Sequence, residues 1–187
     1  DWIDWGKVVS SMEDAVPTFT PGEALVYHPV NYGWVIGELV HRIDGRPFNQ
    51  FLSQEITEPL GMADTYVGLP AHMESRVAKI HLMGEESDPN GVVLRYNRPE
   101  VHRSIVPAAC GIASALDLAK FYAMMERGGI LDGVRIVGQD IVNEVTSLQV
   151  RDIEVASGLL VQRSLGLVLA DERMGLSKDN PTNTFGH

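Results

Sequence analysis

Cysteine is almost absent: Cys110 is the only one in 187 residues, so the chain can form no internal disulfide and its redox compartment is left open. Basic residues are also scarce. Fifteen Lys and Arg stand against 25 Asp and Glu, a formal net charge of −10 with no basic stripe. That excludes the clustered cationic surface that nucleic acid or an anionic membrane requires. No apolar run is long enough to cross a bilayer. The six histidines (His28, His41, His72, His81, His102 and His187) include no His-Glu-x-x-His spacing and no close pair, so a zinc site has no support. There is no Gly-x-Gly-x-x-Gly after a strand and no internal repeat, and no cofactor is expected. The carboxylates are scattered and are expected to form a solvated surface. What is present is an ordinary globular composition, 44% hydrophobic and 21% charged, enough for one domain with a real core.

The chain is organised around residues 21–45, PGEALVYHPVNYGWVIGELVHRIDG. Tyr32, Val35, Ile36, Leu39, Val40 and Ile43 recur at the spacing of an amphipathic helix with one buried face. Pro29 or Asn31 begins it, and Gly45 sits where a left-handed cap belongs. Gly33 and Gly37, one turn apart, suit close helix packing better than phosphate binding. Tyr27 stands just before this helix, after the Pro21-Gly22 turn. Taken alone, it reads as a half-buried packing residue.

Upstream, Trp2, Ile3, Trp5, Val8, Val9 and Met12 predict a helix that ends before Pro17 and packs beside the main one. Downstream, Pro47 starts a helix through Ile56, and Leu60-Gly61-Met62 forms a turn burying two apolar side chains. Residues 63–103 read as irregular structure with short strands, Val77 to Met83 alternating weakly, and 85–91 as a loop. Ser114 caps a helix over 115–127, with Asp117 as its capping-box acid. Asp132-Gly133 predicts a tight hairpin turn, followed by a helix over 138–147. Leu165 to Ala170 reads as a core strand, and 177–183 as a loop before Phe185-Gly186-His187.

Several of these stretches, in this order, resemble the serine β-lactamase, penicillin-binding-protein and esterase superfamily, in its class C-like branch. Tyr27-His28 before a helix, Gly45-Arg46-Pro47, Pro59-Leu60-Gly61-Met62 with Thr65, the glycine-containing entry into the helix after Pro107, and the terminal Phe185-Gly186-His187 carry the resemblance. It implies an α+β, β-lactamase/transpeptidase-like fold. Residues 1–187 would form a partial domain, mainly its helical half with some strands of the antiparallel sheet. It further implies that Tyr27 is catalytic, with His28 a pocket neighbour, and that His187 opens a strand lining the active site; a histidine packed at a strand end is the alternative. Trp34 and Tyr32 are not assigned to substrate.

Two departures from the family pattern qualify what the resemblance implies. The family's nucleophile lies in Ser-x-x-Lys, and no serine of this chain has lysine three places on. The motif is therefore expected upstream of Asp1, both ends of the chain being read as cut, and the isolated chain is expected to be inactive and aggregation-prone. The second departure is Pro29, where the family's Tyr-x-Asn triplet would place asparagine. Tyr-His suits an esterase better than a penicillinase. The expected function is acyl-enzyme hydrolysis of a small-molecule ester or amide, a β-lactam among the possibilities. A non-catalytic binding module of the same fold and a peptidase acting on D-Ala-D-Ala remain as alternatives.

Overall fold

The computed structural model describes residues 2–83, 88, 91–169 and 184–186. Its contacts divide into two compact units, one of Asp1–Ala15 with His28–Phe121 and one of Val16–Tyr27 with Tyr122–His187.

The first unit is built on two helices, α1 (Trp5–Glu13) and α2 (Asn31–Asp44). Asp4 caps α1 by accepting the Lys7 N–H at 3.1 Å, and Gly45 ends α2 at φ 87°, as its position predicts. The indole N–H of Trp5 donates to Glu38 at 2.7 Å and fixes α1 beside α2. The face that α2 buries is not the predicted one. Gly33, Trp34 and Gly37 are buried, whereas Tyr32, Val35, Ile36, Leu39 and Ile43 are 45–85% exposed. The reason is close approach. A Cβ on Gly33 would lie 2.6 Å from the backbone nitrogen of Ala108, and one on Gly37 2.6 Å from the Trp5 ring. The helix seats its glycines and leaves its branched residues outside. Gly33→Ala is therefore expected to destabilise this unit by about 1–3 kcal/mol, because backbone rather than a mobile side chain must give way; denaturant midpoints of the two proteins measure it.

After α2 come α3 (Phe48–Leu52), which passes into a π-helical turn at Ser53–Thr57, and β1 (Tyr66–Val67). Leu60 and Met62 are buried around Gly61, as expected. Residues 77–83 form no strand. The side chain of Asn97 takes a partner strand's place, accepting the Ile80 N–H at 2.7 Å and donating to the Ile80 carbonyl at 2.8 Å. Ordered helical turns occupy much of the region expected to be irregular: a 3-10 segment at Ala71–Arg76, α4 (Val92–Arg95) and α5 (Pro99–His102). The loop predicted at 85–91 lies outside the described residues except Asp88 and Gly91.

β2 (Gly111–Ile112) pairs antiparallel with β1 and leads into α6 (Ala115–Glu126), which carries the chain from the first unit to the second. Ser114 does cap α6, its Oγ accepting the Asp117 N–H at 3.1 Å. Asp117 is no capping-box acid, however. Only 4% exposed, it accepts from the Asp64 N–H at 2.8 Å and the Thr65 hydroxyl at 3.0 Å, which ties the turn after Met62 to the helix. The core of this unit gathers Trp34, Val101, Val106 and Cys110, with Trp2, Trp5, Val8, Met12 and Tyr96 packed against it.

The second unit contains a hairpin, β3 (Ile130–Leu131) and β4 (Val134–Arg135), turned at Asp132-Gly133 with φ values of 48° and 85°, as predicted. α7 (Gln139–Thr146) follows, and then a four-stranded antiparallel sheet in the order β5 (Val150–Glu154), β6 (Leu159–Arg163), β7 (Val168–Leu169), β8 (Phe185–Gly186). The β5–β6 hairpin was not expected from the sequence. The strand expected at Leu165 to Ala170 is confined to Val168–Leu169, because Leu165 and Gly166 turn the chain between β6 and β7. Ala170, the loop at 177–183 and His187 lie outside the described residues.

Candidate functional site

Tyr27 reaches its place by three steps of backbone bonding. The Pro21-Gly22 turn closes with the Glu23 N–H donating to the Thr20 carbonyl at 3.1 Å, Gly22 taking φ 89°. Leu25 then lies parallel to the end of β5, bridged to Glu154, and its carbonyl accepts the Val155 N–H at 2.9 Å. Two residues on, the Tyr27 N–H donates to the Glu154 carboxylate at 3.1 Å. The phenol is left 50% exposed. Tyr27 thus has a fixed backbone and a ring that solvent can reach. His28 follows it and is exposed.

Glu154 was not legible in the sequence. It is buried at 6% exposure, contrary to the expectation of solvated carboxylates, because three N–H donors replace its water: Tyr27, Ala156 at 2.9 Å and Ser157 at 2.8 Å. Hydrogen bonds from Ser157, then Ala156 and Tyr27, pull its pKa from 4.5 to about 2. One carboxylate therefore holds the Tyr27 segment against the tip of the β5–β6 hairpin. A carboxyl with its folded pKa below its unfolded value stabilises the fold above about pH 4.5, and that contribution is lost as pH falls toward about 2. Glu154→Gln is expected to lower the denaturant midpoint at pH 7, with the gap from the parent closing between pH 4.5 and 2. Parallel acid unfolding of both proteins would refute this role.

The strand that runs toward His187 is β8, at the edge of the sheet opposite Leu25. Four strand steps of about 4.8 Å separate these two edges, roughly 19 Å. His187 itself lies outside the described residues. Among the described residues, no group of three or more His, Cys, Asp and Glu is placed to hold a metal ion, and no helix is long and apolar enough to cross a membrane.

Known proteins give this arrangement a context. The esterase/β-lactamase LipL of Mycobacterium tuberculosis is 27% identical over an alignment covering 72% of this chain and 38% of LipL. Among solved structures, a family VIII carboxylesterase matches with TM-score 0.86 and 28% identity, covering 100% of this chain and 53% of that one. A penicillin-binding-protein homologue from Caulobacter crescentus matches with TM-score 0.82 and 27% identity, with the same coverage of 100% and 53%. The chain thus spans about half the length of these solved structures and less of LipL. The fold is the β-lactamase/transpeptidase one, represented in part. A family model described as Beta-lactamase matches residues 1–187, and the chain belongs to that family.

Proposed function

We propose that this chain supplies the proton-relay tyrosine, Tyr27, of a serine hydrolase that cleaves small-molecule esters, and amides more slowly, through an acyl-enzyme. The observation that carries the reading is the holding of Tyr27: a backbone anchored on the buried, ionised Glu154 beneath a half-exposed phenol. The nucleophile is a serine of a Ser-x-x-Lys motif outside these 187 residues. Its hydroxyl oxygen attacks the carbonyl carbon while its proton passes to the Tyr27 phenolate oxygen, and the resulting oxyanion is held by backbone N–H groups. Collapse of the tetrahedral adduct breaks the bond to the leaving oxygen, which takes the proton from Tyr27 and departs as alcohol. Water then attacks the acyl-serine, gives its proton to Tyr27, and that proton returns to the serine as the acid leaves. A phenol ordinarily titrates near ~10, so the lysine ammonium of the same motif is needed to favour phenolate. Pro29, standing where an asparagine would contact a substrate amide, favours esters. The resemblance to a family VIII carboxylesterase points the same way. His187 enters only as an expectation from the family resemblance, as the residue opening a strand that lines the active site.

Intact mass after incubation with a fluorophosphonate ester tests the proposal. The 187-residue chain is expected to remain unlabelled, and a longer polypeptide carrying the upstream Ser-x-x-Lys to take one adduct and hydrolyse p-nitrophenyl acetate. A stoichiometric adduct on a serine of this chain, or no adduct on the longer one, overturns it.

A further inference from the structure

The first unit carries a half-open cavity of about 460 Å³ that the proposed chemistry does not use. That volume lies within the range of small-molecule sites. Val77, Ile80 and Ile112 form apolar wall, and Tyr96, His102 and Cys110 are the lining residues with polar side chains. The wall at Ile80 is held in place by the two Asn97 hydrogen bonds to its backbone. Among the described residues, no Asp, Glu, Lys or Arg lines the space.

His102 contributes no charge-seeking group, although it is only 8% exposed. Its Nε2 donates to the Tyr96 carbonyl at 2.6 Å, since a carbonyl can only accept, and its Nδ1 meets the Glu74 carboxylate at 2.9 Å. Both ring nitrogens are committed, and whatever charge the imidazole carries is balanced by Glu74. A ligand charge placed against these walls finds no counter-charge among the described lining residues. Burial pushes the Cys110 thiol up to about 11, so it stays a neutral, weakly polar surface. The Tyr96 hydroxyl is then the one strong donor of the lining side chains whose hydrogen bonding is not already taken up by protein among the described residues.

We infer that this cavity binds a small, uncharged, largely apolar molecule carrying one hydrogen-bond acceptor, with its apolar body against Val77, Ile80 and Ile112 and its acceptor on the Tyr96 hydroxyl. The site lies within the first unit and does not depend on the role proposed for Tyr27. Its chemistry selects against anions and cations alike.

Cys110, the chain's only thiol, is a built-in reporter on the cavity wall. The rate of its modification by methyl methanethiosulfonate, read from the mass of the peptide containing Cys110, is measured in the longer polypeptide that contains this chain, with acetophenone, ethylbenzene or benzoate at millimolar concentration. Acetophenone is expected to slow modification at least 10-fold. Ethylbenzene, of the same shape without the acceptor, should require several-fold higher concentration, and benzoate should have no effect. Tyr96→Phe should bring acetophenone down to the level of ethylbenzene while leaving thermal unfolding close to the parent. Protection by benzoate as strong as by acetophenone, or an unchanged acetophenone effect in Tyr96→Phe, refutes the assignment. So does the absence of protection by all three in a sample whose near-ultraviolet circular dichroism shows packed aromatic side chains.

Discussion

Tyr27→Phe, in a polypeptide that also carries the proposed upstream serine and lysine, is expected to lower kcat for p-nitrophenyl acetate by about 10²–10⁴-fold, the range for loss of a positioned proton-transfer group. The Tyr27 N–H to Glu154 bond uses backbone, so the phenylalanine ring should sit in the same place and thermal unfolding should barely move. The loss should fall on kcat and kcat/KM together, because a proton relay acts in the transition state. Fluorophosphonate labelling should slow in step, since serine activation precedes both reactions. A change confined to KM would make Tyr27 a binding residue. No change at all would leave it the half-buried packing residue that the sequence alone suggests.

Trp34→Ala should have the largest effect on stability, about 3–5 kcal/mol by denaturant unfolding. Trp34 is 2% exposed at the centre of the first unit, with the Trp2 ring edge-on at 6.2 Å and Val101, Val106 and Cys110 around it. Removing it leaves a cavity bounded by α2, whose glycines already bring it into contact with Ala108 and Trp5 and leave little room for collapse. Its indole nitrogen is buried without a hydrogen-bond partner among the described residues. Trp34→Phe should therefore cost much less than the alanine, since it removes an unsatisfied donor along with part of the volume. Equal costs would indicate that the nitrogen is bonded, and a cost within about 0.5 kcal/mol for the alanine would refute the core assignment.

Both predictions concern residues within the stretch around which the chain is organised. The extent of α2, its Gly45 cap, the Asp132-Gly133 hairpin and the Ser114 cap were legible because each depends on a local rule: helical period, positive φ, or a side chain reaching its own helix N-terminus. The segment at 77–83 was misread for a nonlocal reason, since its pairing partner is the amide of Asn97, seventeen residues on. The β5–β6 hairpin escaped because Leu159 and Leu160 stay 48% exposed, so its apolar pattern does not mark a buried face.

The sequence by itself determined the class of protein: an acidic, cysteine-poor chain with the landmarks of a β-lactamase-like fold, a tyrosine ahead of its main helix and no Ser-x-x-Lys. Tertiary structure alone decided which face of α2 is buried, because the contact of Gly33 with Ala108 joins residues 75 positions apart and sterics there outrank the apolar stripe. It also decided which of 25 acidic residues are structural. Asp117 and Glu154 look like any surface carboxylate until the chain brings N–H donors to them from Asp64 and Tyr27. Hydrogen-bond donors delivered by folding make a buried carboxylate tolerable, and no spacing in the sequence encodes their arrival.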